Sequence, residues 1–145
     1  MYRKVLLAYD GSVEGRVALR EGALLAKRFG AEVVLLAIIH SVHDATGASY
    51  VNTEVAQATF NEGIEKAKEF GLAVSGEIVS GDPISQISDF AKNIAADLVV
   101  VGHRKQSSFE RWWSGPSQAI LSDKLDCSLL IARNQVEAQL NHQSG

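Results

Sequence analysis

The chain has 145 residues, 46% hydrophobic and 21% charged, with a formal net charge of −3. That is the length of one domain with enough apolar residues for a sizeable core, and the charge balance excludes a broadly basic surface that would draw nucleic acid. No apolar run approaches the ~18 residues that a membrane-spanning helix needs, and the single cysteine, Cys127, excludes an internal disulfide framework.

The start Met-Tyr-Arg-Lys leads straight into Val5-Leu6-Leu7-Ala8-Tyr9, which reads as a strand buried on both faces. The expectation is a cytoplasmic chain without a signal peptide. Asp10-Gly11-Ser12 ends this strand. Gly11 permits a tight turn, and either Asp10 or Ser12 can cap the helix that follows. Apolar residues at helical spacing predict that helix over 13–29, with Val13, Val17 and Leu24 on one line and Ala18, Leu25 and Phe29 beside it. Gly15 and Gly22 share a face, where they allow close packing on a sheet at a cost in helix propensity. Gly30 suits the position just past the helix end.

Residues 33–39 form a second buried run, which completes a βαβ unit. From His40 to Tyr50 the pattern dissolves into a polar loop. Asn52 or Thr53 can cap a second helix over 53–70, closed by Gly71. Residues 72–79 alternate as a half-covered strand would, with Gly76 weakening the strand or marking a bulge. Ser80-Gly81-Asp82-Pro83 turns into a third helix, with Asp82 as cap and Pro83 at the first helical position. Ile84, Ile87, Phe90, Ala91 and Ile94 give that helix one apolar face.

The fourth strand, Leu98-Val99-Val100-Val101, stops at Gly102. Polar and aromatic residues fill 103–114, and Ser114-Gly115-Pro116-Ser117 leads into a helix over 117–125. A last strand spans 127–132, and the polar tail 134–145 is expected to fray. The order β-α-β-α-β-α-β-α-β specifies one α/β domain over 1–133, a three-layer α/β/α arrangement on a five-stranded parallel sheet of Rossmann-like type. A loop leaving the carboxyl end of a parallel strand, with the next helix pointing its positive end back at it, is a place for an anionic ligand.

Gly102, two residues, position 105, nine residues and Gly115 make a frame that resembles the nucleotide loop of the universal stress protein family. That family's ATP-binding members carry Gly, two residues, Gly, nine residues, Gly, then Ser or Thr. Tyr9-Asp10-Gly11-Ser12 is similar to the family's first strand ending in Asp, and Gly81-Asp82-Pro83 to its lead-in to the third helix. The likeness runs from Val5 to Ile131. It implies that Asp10, preceded by Ala8 and Tyr9, holds the adenosine end of a nucleotide, with Ile38 contacting adenine through its backbone. It implies that Val101 and Gly102 floor the ribose and phosphate, and that Gly115 and Ser117 offer N–H groups to the phosphates. Two positions depart from the frame: Lys105 stands at the second glycine, and Pro116 stands where Ser or Thr would follow the third. Lysine loses the conformational freedom of glycine but brings an ammonium that can meet phosphate as a point charge. Pro116 removes one N–H from a helix start where proline is otherwise at home.

Two functional readings follow. In one the chain is a stress-response binding module that takes ATP or AMP with altered phosphate recognition, using Arg104 and Lys105 where relatives use backbone. In the other it is an interaction protein of the same fold that binds no nucleotide. Plain structural roles stand beside the functional ones: Asp10 as a cap, Gly102 and Gly115 as turns, and the basic loop with Arg104, Lys105 and Arg111 as a solvated surface. One ring of Trp112-Trp113 is expected to pack on the domain, leaving the other to stack on a base or a partner. No nucleophile elbow, His–Cys pair or Walker lysine motif is present, and His40, His43 and His103 lack metal-ligand spacing. No metal and no catalytic residue is expected, weak ATP hydrolysis with Asp10 as its one candidate carboxylate being the enzymatic alternative left open, and neither nucleic acid nor membrane is expected as a partner. The resemblance implies a homodimer through strand 127–132, whose apolar edge invites pairing. Cys127 reads as a small core residue rather than a reactive thiol.

Overall fold

Alternate side chains of each apolar run feed the two faces of one sheet. In β1 (Lys4–Tyr9), Val5, Leu7 and Tyr9 join Ala18, Leu19, Ala26 and Ala67 in one buried cluster, while Leu6 and Ala8 join Ile84, Ile87 and Ala91 in another. The computed structural model describes residues 1–39, 42–43, 45–50, 52–102 and 121–133. After β1 come α1 (Val13–Phe29), β2 (Glu32–Ile39), β3 (Val42–His43), β4 (Ser49–Tyr50), α2 (Thr53–Lys68), β5 (Val74–Ser80), α3 (Pro83–Ile94), β6 (Leu98–Gly102) and β7 (Ser128–Ala132). Five strands form one sheet in the order β5-β2-β1-β6-β7, every neighbouring pair parallel. This is a three-layer Rossmann-like α/β fold, with α1 and α2 over one face and α3 over the other. The strand order runs outward from β1 through β2 to β5, then restarts on the other side of β1 with β6. The reversal between β1 and β6 is where such sheets bind ligands, at their carboxyl ends.

The helix boundaries follow the caps. Ser12 is the N-cap of α1, its Oγ accepting from the Gly15 N–H at 2.9 Å, and Gly30 closes the helix in the left-handed region at φ 63°. Asn52, not Thr53, caps α2, accepting from the N–H groups of Glu54 and Val55. That helix ends at Lys68, two residues short of the predicted span. Asp82 caps α3 through the Ser85 N–H at 3.0 Å, with Pro83 in the first turn as the sequence predicts.

Three features differ from the sequence reading. The buried stripe of α1 is Gly15, Ala18, Leu19, Gly22, Ala23 and Ala26, whereas Val13, Leu24 and Phe29 remain substantially exposed. The helix lies so close to the sheet that a Cβ on Gly22 would overlap Leu7 Cδ2 and sit 3.3 Å from Val100 Cγ2. Only small residues fit there, and the large ones are displaced to the flanks. Gly76 marks no bulge: it sits in continuous register opposite Leu35, and a side chain on it would overlap the Leu35 carbonyl. Within the stretch read as a polar loop, β3 and β4 form an antiparallel ladder, Val42↔Tyr50 and His43↔Ser49.

The final helix is described at residues 121–124, where Leu121 is fully buried. Its predicted start, the loop before it and the tail 134–145 lie outside the described residues. No helix among the described residues is long and apolar enough to cross a membrane.

Candidate functional site

The site is built where β1 and β6 part. Their register runs from Val5↔Leu98 to Leu7↔Val100 and ends there. Yet β1 continues beside β2 to Tyr9↔Ala37, and β6 continues beside β7 to Gly102↔Ala132. The last residues of the two central strands therefore flank a crevice at the order reversal, with Ala8, Tyr9, Val101 and Gly102 as its buried base.

Asp10 follows β1 directly. Its Oδ1 accepts from the backbone N–H of Ser12 at 3.0 Å and from the Ser12 hydroxyl. Ser12 Oγ in turn accepts from Gly15. The two candidate caps thus divide the work: Ser12 caps α1, and Asp10 orients Ser12. Gly11 makes the turn possible at φ 83° and backs onto Thr59 of α2, whose Cγ2 lies 3.4 Å from where a Cβ would stand. A carboxylate has about four lone-pair positions, so this group is equipped to accept from a ligand hydroxyl while holding its turn.

Gly102 is an extended residue of β6 rather than a turn. A Cβ on it would overlap the Glu14 carbonyl oxygen and would stand 2.6 Å from the Glu14 carbonyl carbon and 3.1 Å from Glu14 Cβ. The first turn of α1 therefore rests directly on the end of β6, and glycine is required by that close approach.

Tyr9 contributes only its backbone to the crevice. Its ring turns into the α1/α2 layer, beside Gly63, where a Cβ would be 2.9 Å from Tyr9 Cδ2. The phenol donates to Glu62 Oε1 at 2.7 Å, and the same oxygen accepts from Arg16 Nε at 2.9 Å. Burial, with the hydrogen bond to Glu62 second, pushes the Tyr9 hydroxyl up to about 12. The Tyr9 and Arg16 hydrogen bonds hold Glu62 below the usual carboxylate range. The sequence reading missed this triad. Its one local signal was a tyrosine in an otherwise aliphatic buried strand, whose hydroxyl needs a partner.

Ile38 lies near the carboxyl end of β2, 1% exposed, its side chain in the cluster under α3. Ala8, Asp10, Val101 and Gly102 are brought together at the crevice, with Ile38 two strands along from β6. Arg104, Lys105, Gly115, Pro116 and Ser117 lie outside the described residues, as do Trp112 and Trp113. Cys127 is half-buried, and burial raises its thiol above the ordinary value, with Asp126 and Asp97 adding to the shift. That is the reverse of what a reactive thiolate requires. A hollow of about 650 Å³ lined by Leu24, Leu25, Lys27, Arg28 and Phe29 lies at the opposite end of α1 from Ser12 and takes no part in the crevice.

The model of the universal stress protein family matches residues 1–133. The chain belongs to that family. Among curated universal stress proteins, YxiE of Bacillus subtilis is 30% identical over 148 residues, a match covering 92% of this chain and all of that one. Among solved universal stress proteins, that of Arabidopsis thaliana with AMP bound superposes with a TM-score of 0.69 at 18% identity, covering 93% of this chain and 94% of the other. That of Archaeoglobus fulgidus in complex with dAMP gives a TM-score of 0.68 at 18% identity, covering 90% and 98%. At such identities the likeness to the solved structures is one of fold.

Proposed function

We propose that this universal stress protein is a binding module for an adenine nucleotide, held in the crevice where β1 and β6 part. The observation that carries the reading is the meeting of Asp10, Val101 and Gly102 at the strand-order reversal, in a fold shared with solved family members that hold AMP and dAMP. In this reading Asp10 accepts from the sugar, the backbone near Ile38 meets the base, and the loop from Gly102 to Ser117 contacts phosphate. In the same reading Arg104 and Lys105 supply charge in place of the missing glycine, and Gly115 and Ser117 offer N–H groups to the phosphates. No metal is assigned a part.

Mass spectrometry of the supernatant from denatured, gently purified protein tests this, together with thermal shift against AMP and ATP. A ligand that binds only the folded state stabilises it by about 2.7 kcal/mol at a hundredfold excess over Kd. The expected result is a copurified adenine nucleotide and an upward shift. An empty supernatant with a flat thermal shift at millimolar nucleotide overturns the reading in favour of an interaction protein that binds no nucleotide.

We further propose a homodimer through β7. That strand is one edge of the sheet, and its Leu129, Leu130 and Ile131 are only half-buried, the kind of edge that invites pairing. Sedimentation at tens of micromolar is expected to give twice the chain mass, and a monomer would refute the assignment.

A further inference from the structure

The helical glycines Gly15 and Gly22 of α1 and Gly63 of α2 face different kinds of neighbour. A Cβ on Gly22 would overlap Leu7 Cδ2, and one on Gly63 would stand 2.7 Å from Leu35 Cδ2 and 2.9 Å from Tyr9 Cδ2. At both, a helix rests on core side chains. A Cβ on Gly15 would instead meet polar atoms of the Asp10 turn: Asp10 Oδ1 at 2.9 Å and Ser12 Oγ at 3.1 Å, with Tyr9 Cδ1 at 3.3 Å. Of these neighbours the Asp10 carboxylate is the one that can yield. The Tyr9 ring is fully buried, its other edge backs onto Gly63, and its hydroxyl is held by Glu62. Ser12 Oγ caps α1 by accepting from the Gly15 N–H itself. The end of the Asp10 side chain can rotate, and its Oδ1 is seated by the N–H and hydroxyl of Ser12. Alanine at position 15 would therefore lift Oδ1 off that seat while leaving the helix whole, because alanine is ordinarily the better helix former.

We infer that Gly15 is a positioning residue for the sugar-binding carboxylate: its missing side chain lets Asp10 lie against the first turn of α1, and so sets the preference for ribose over a sugar that lacks its hydroxyls. The inference rests on the proposed nucleotide site, at its sugar end, and the phosphate loop takes no part in it. A hydrogen bond to a charged group is worth about tenfold or more. The signature of a misplaced carboxylate is therefore a lost preference between two sugars, which a change in stability alone would not produce.

Isothermal titration of the full chain with AMP and with its 2′,3′-dideoxy counterpart tests the assignment. Wild type is compared with Gly15→Ala, Asp10→Ala and the double variant, and circular dichroism melts confirm folding. Wild type is expected to prefer AMP by about tenfold or more. Gly15→Ala is expected to cut that preference to within about threefold, while binding the dideoxy ligand within about twofold of wild type. In the Asp10→Ala background the same change is expected to alter the preference no further. Ser12→Ala removes the hydroxyl from the same seat and is expected to lower the preference too, which keeps the test decisive if Gly15→Ala does not fold. A preference kept in full by either folded variant, or an equal loss for both ligands, overturns the inference and leaves the nucleotide site standing. A wild type that binds both ligands equally overturns the role of Asp10 at the sugar, and the inference with it. A wild type that binds neither ligand overturns the proposed function.

Discussion

Two aspartates at opposite ends of the central strands show how one residue type serves fold and site differently. Asp97, at the amino end, accepts from the backbone N–H groups of Arg3 at 2.8 Å and Lys4 at 2.9 Å through one carboxylate oxygen. Its own N–H donates to the Lys4 carbonyl, and its carbonyl accepts from Ser128. It ties three strands together across more than ninety residues of sequence. Asp10, at the carboxyl end, accepts from the backbone N–H and the hydroxyl of Ser12, two residues away, beside the point where β1 and β6 part. The knitted end is architecture. The end where β1 and β6 part is the one at which such sheets bind ligands.

The strongest attempt to break this comparison is Gly102→Val. If the carboxyl end were open all the way down, valine would be tolerated. Because the neighbour it meets is the Glu14 backbone, which cannot rotate aside, we expect a loss of about 3 kcal/mol and a fall in Tm of about 10 °C. Asp97→Ala comes next. Hydrogen bonds from Arg3 and then Lys4 hold the Asp97 carboxyl below the ordinary aspartate range. Its stabilisation is therefore fully present above the unfolded value of about 3.9 and is lost as pH falls through the lower folded value. Melting curves of wild type and variant are expected to differ at pH 7 and to converge in stronger acid. A gap that persists unchanged there would refute the charge-assisted brace.

Tyr9→Phe is expected to cost about 1 kcal/mol at pH 7 in urea denaturation. Since the folded phenol is raised from 10.0 to about 12, its contribution is present below pH 10 and is lost between pH 10 and 12, so wild type and variant converge over that window. The smallest effect on the fold is expected from Asp10→Ala, about 0.5 kcal/mol. The same change is expected to weaken adenine-nucleotide binding at least about tenfold by titration. A large loss of stability without a loss of binding would erase the distinction between the two aspartates.

What the sequence made legible was what it encodes locally. The apolar runs of β1 and β6, the Asp82–Pro83 helix start and the Gly30 stop depend on residues a few positions apart, and the structure reproduces them. The frame from Gly102 to Gly115 named the family, which the matches bear out. The Gly15–Gly22 face of α1 that packs on the sheet was legible, but the exposure of Val13, Leu24 and Phe29 was not, because the closeness of the sheet at Gly22 decides which large side chains are pushed to the flanks. Nor was the role of Gly76, which depends on the backbone of a neighbouring strand. The Tyr9–Glu62–Arg16 triad joins three elements that only the fold brings together. At the site, Asp10 and Gly102 could be proposed from motif alone, but the close approach of the Glu14 backbone to Gly102 needed three dimensions.

The short register between β1 and β6 also bears on the order in which the chain assembles. Pairing of β1 with β2, from Lys4↔Glu32 to Tyr9↔Ala37, and of β2 with β5, from Val33↔Val74 to Ile39↔Ser80, is complete within the first eighty residues. A nascent chain can close that half while the remainder is still being synthesised. The β6–β7 half then docks along a seam of three residue pairs, pinned at its foot by Asp97. Amide hydrogens of β6 facing the seam are thus expected to exchange before those of β2, and the crevice to be the last feature of the sheet to take shape.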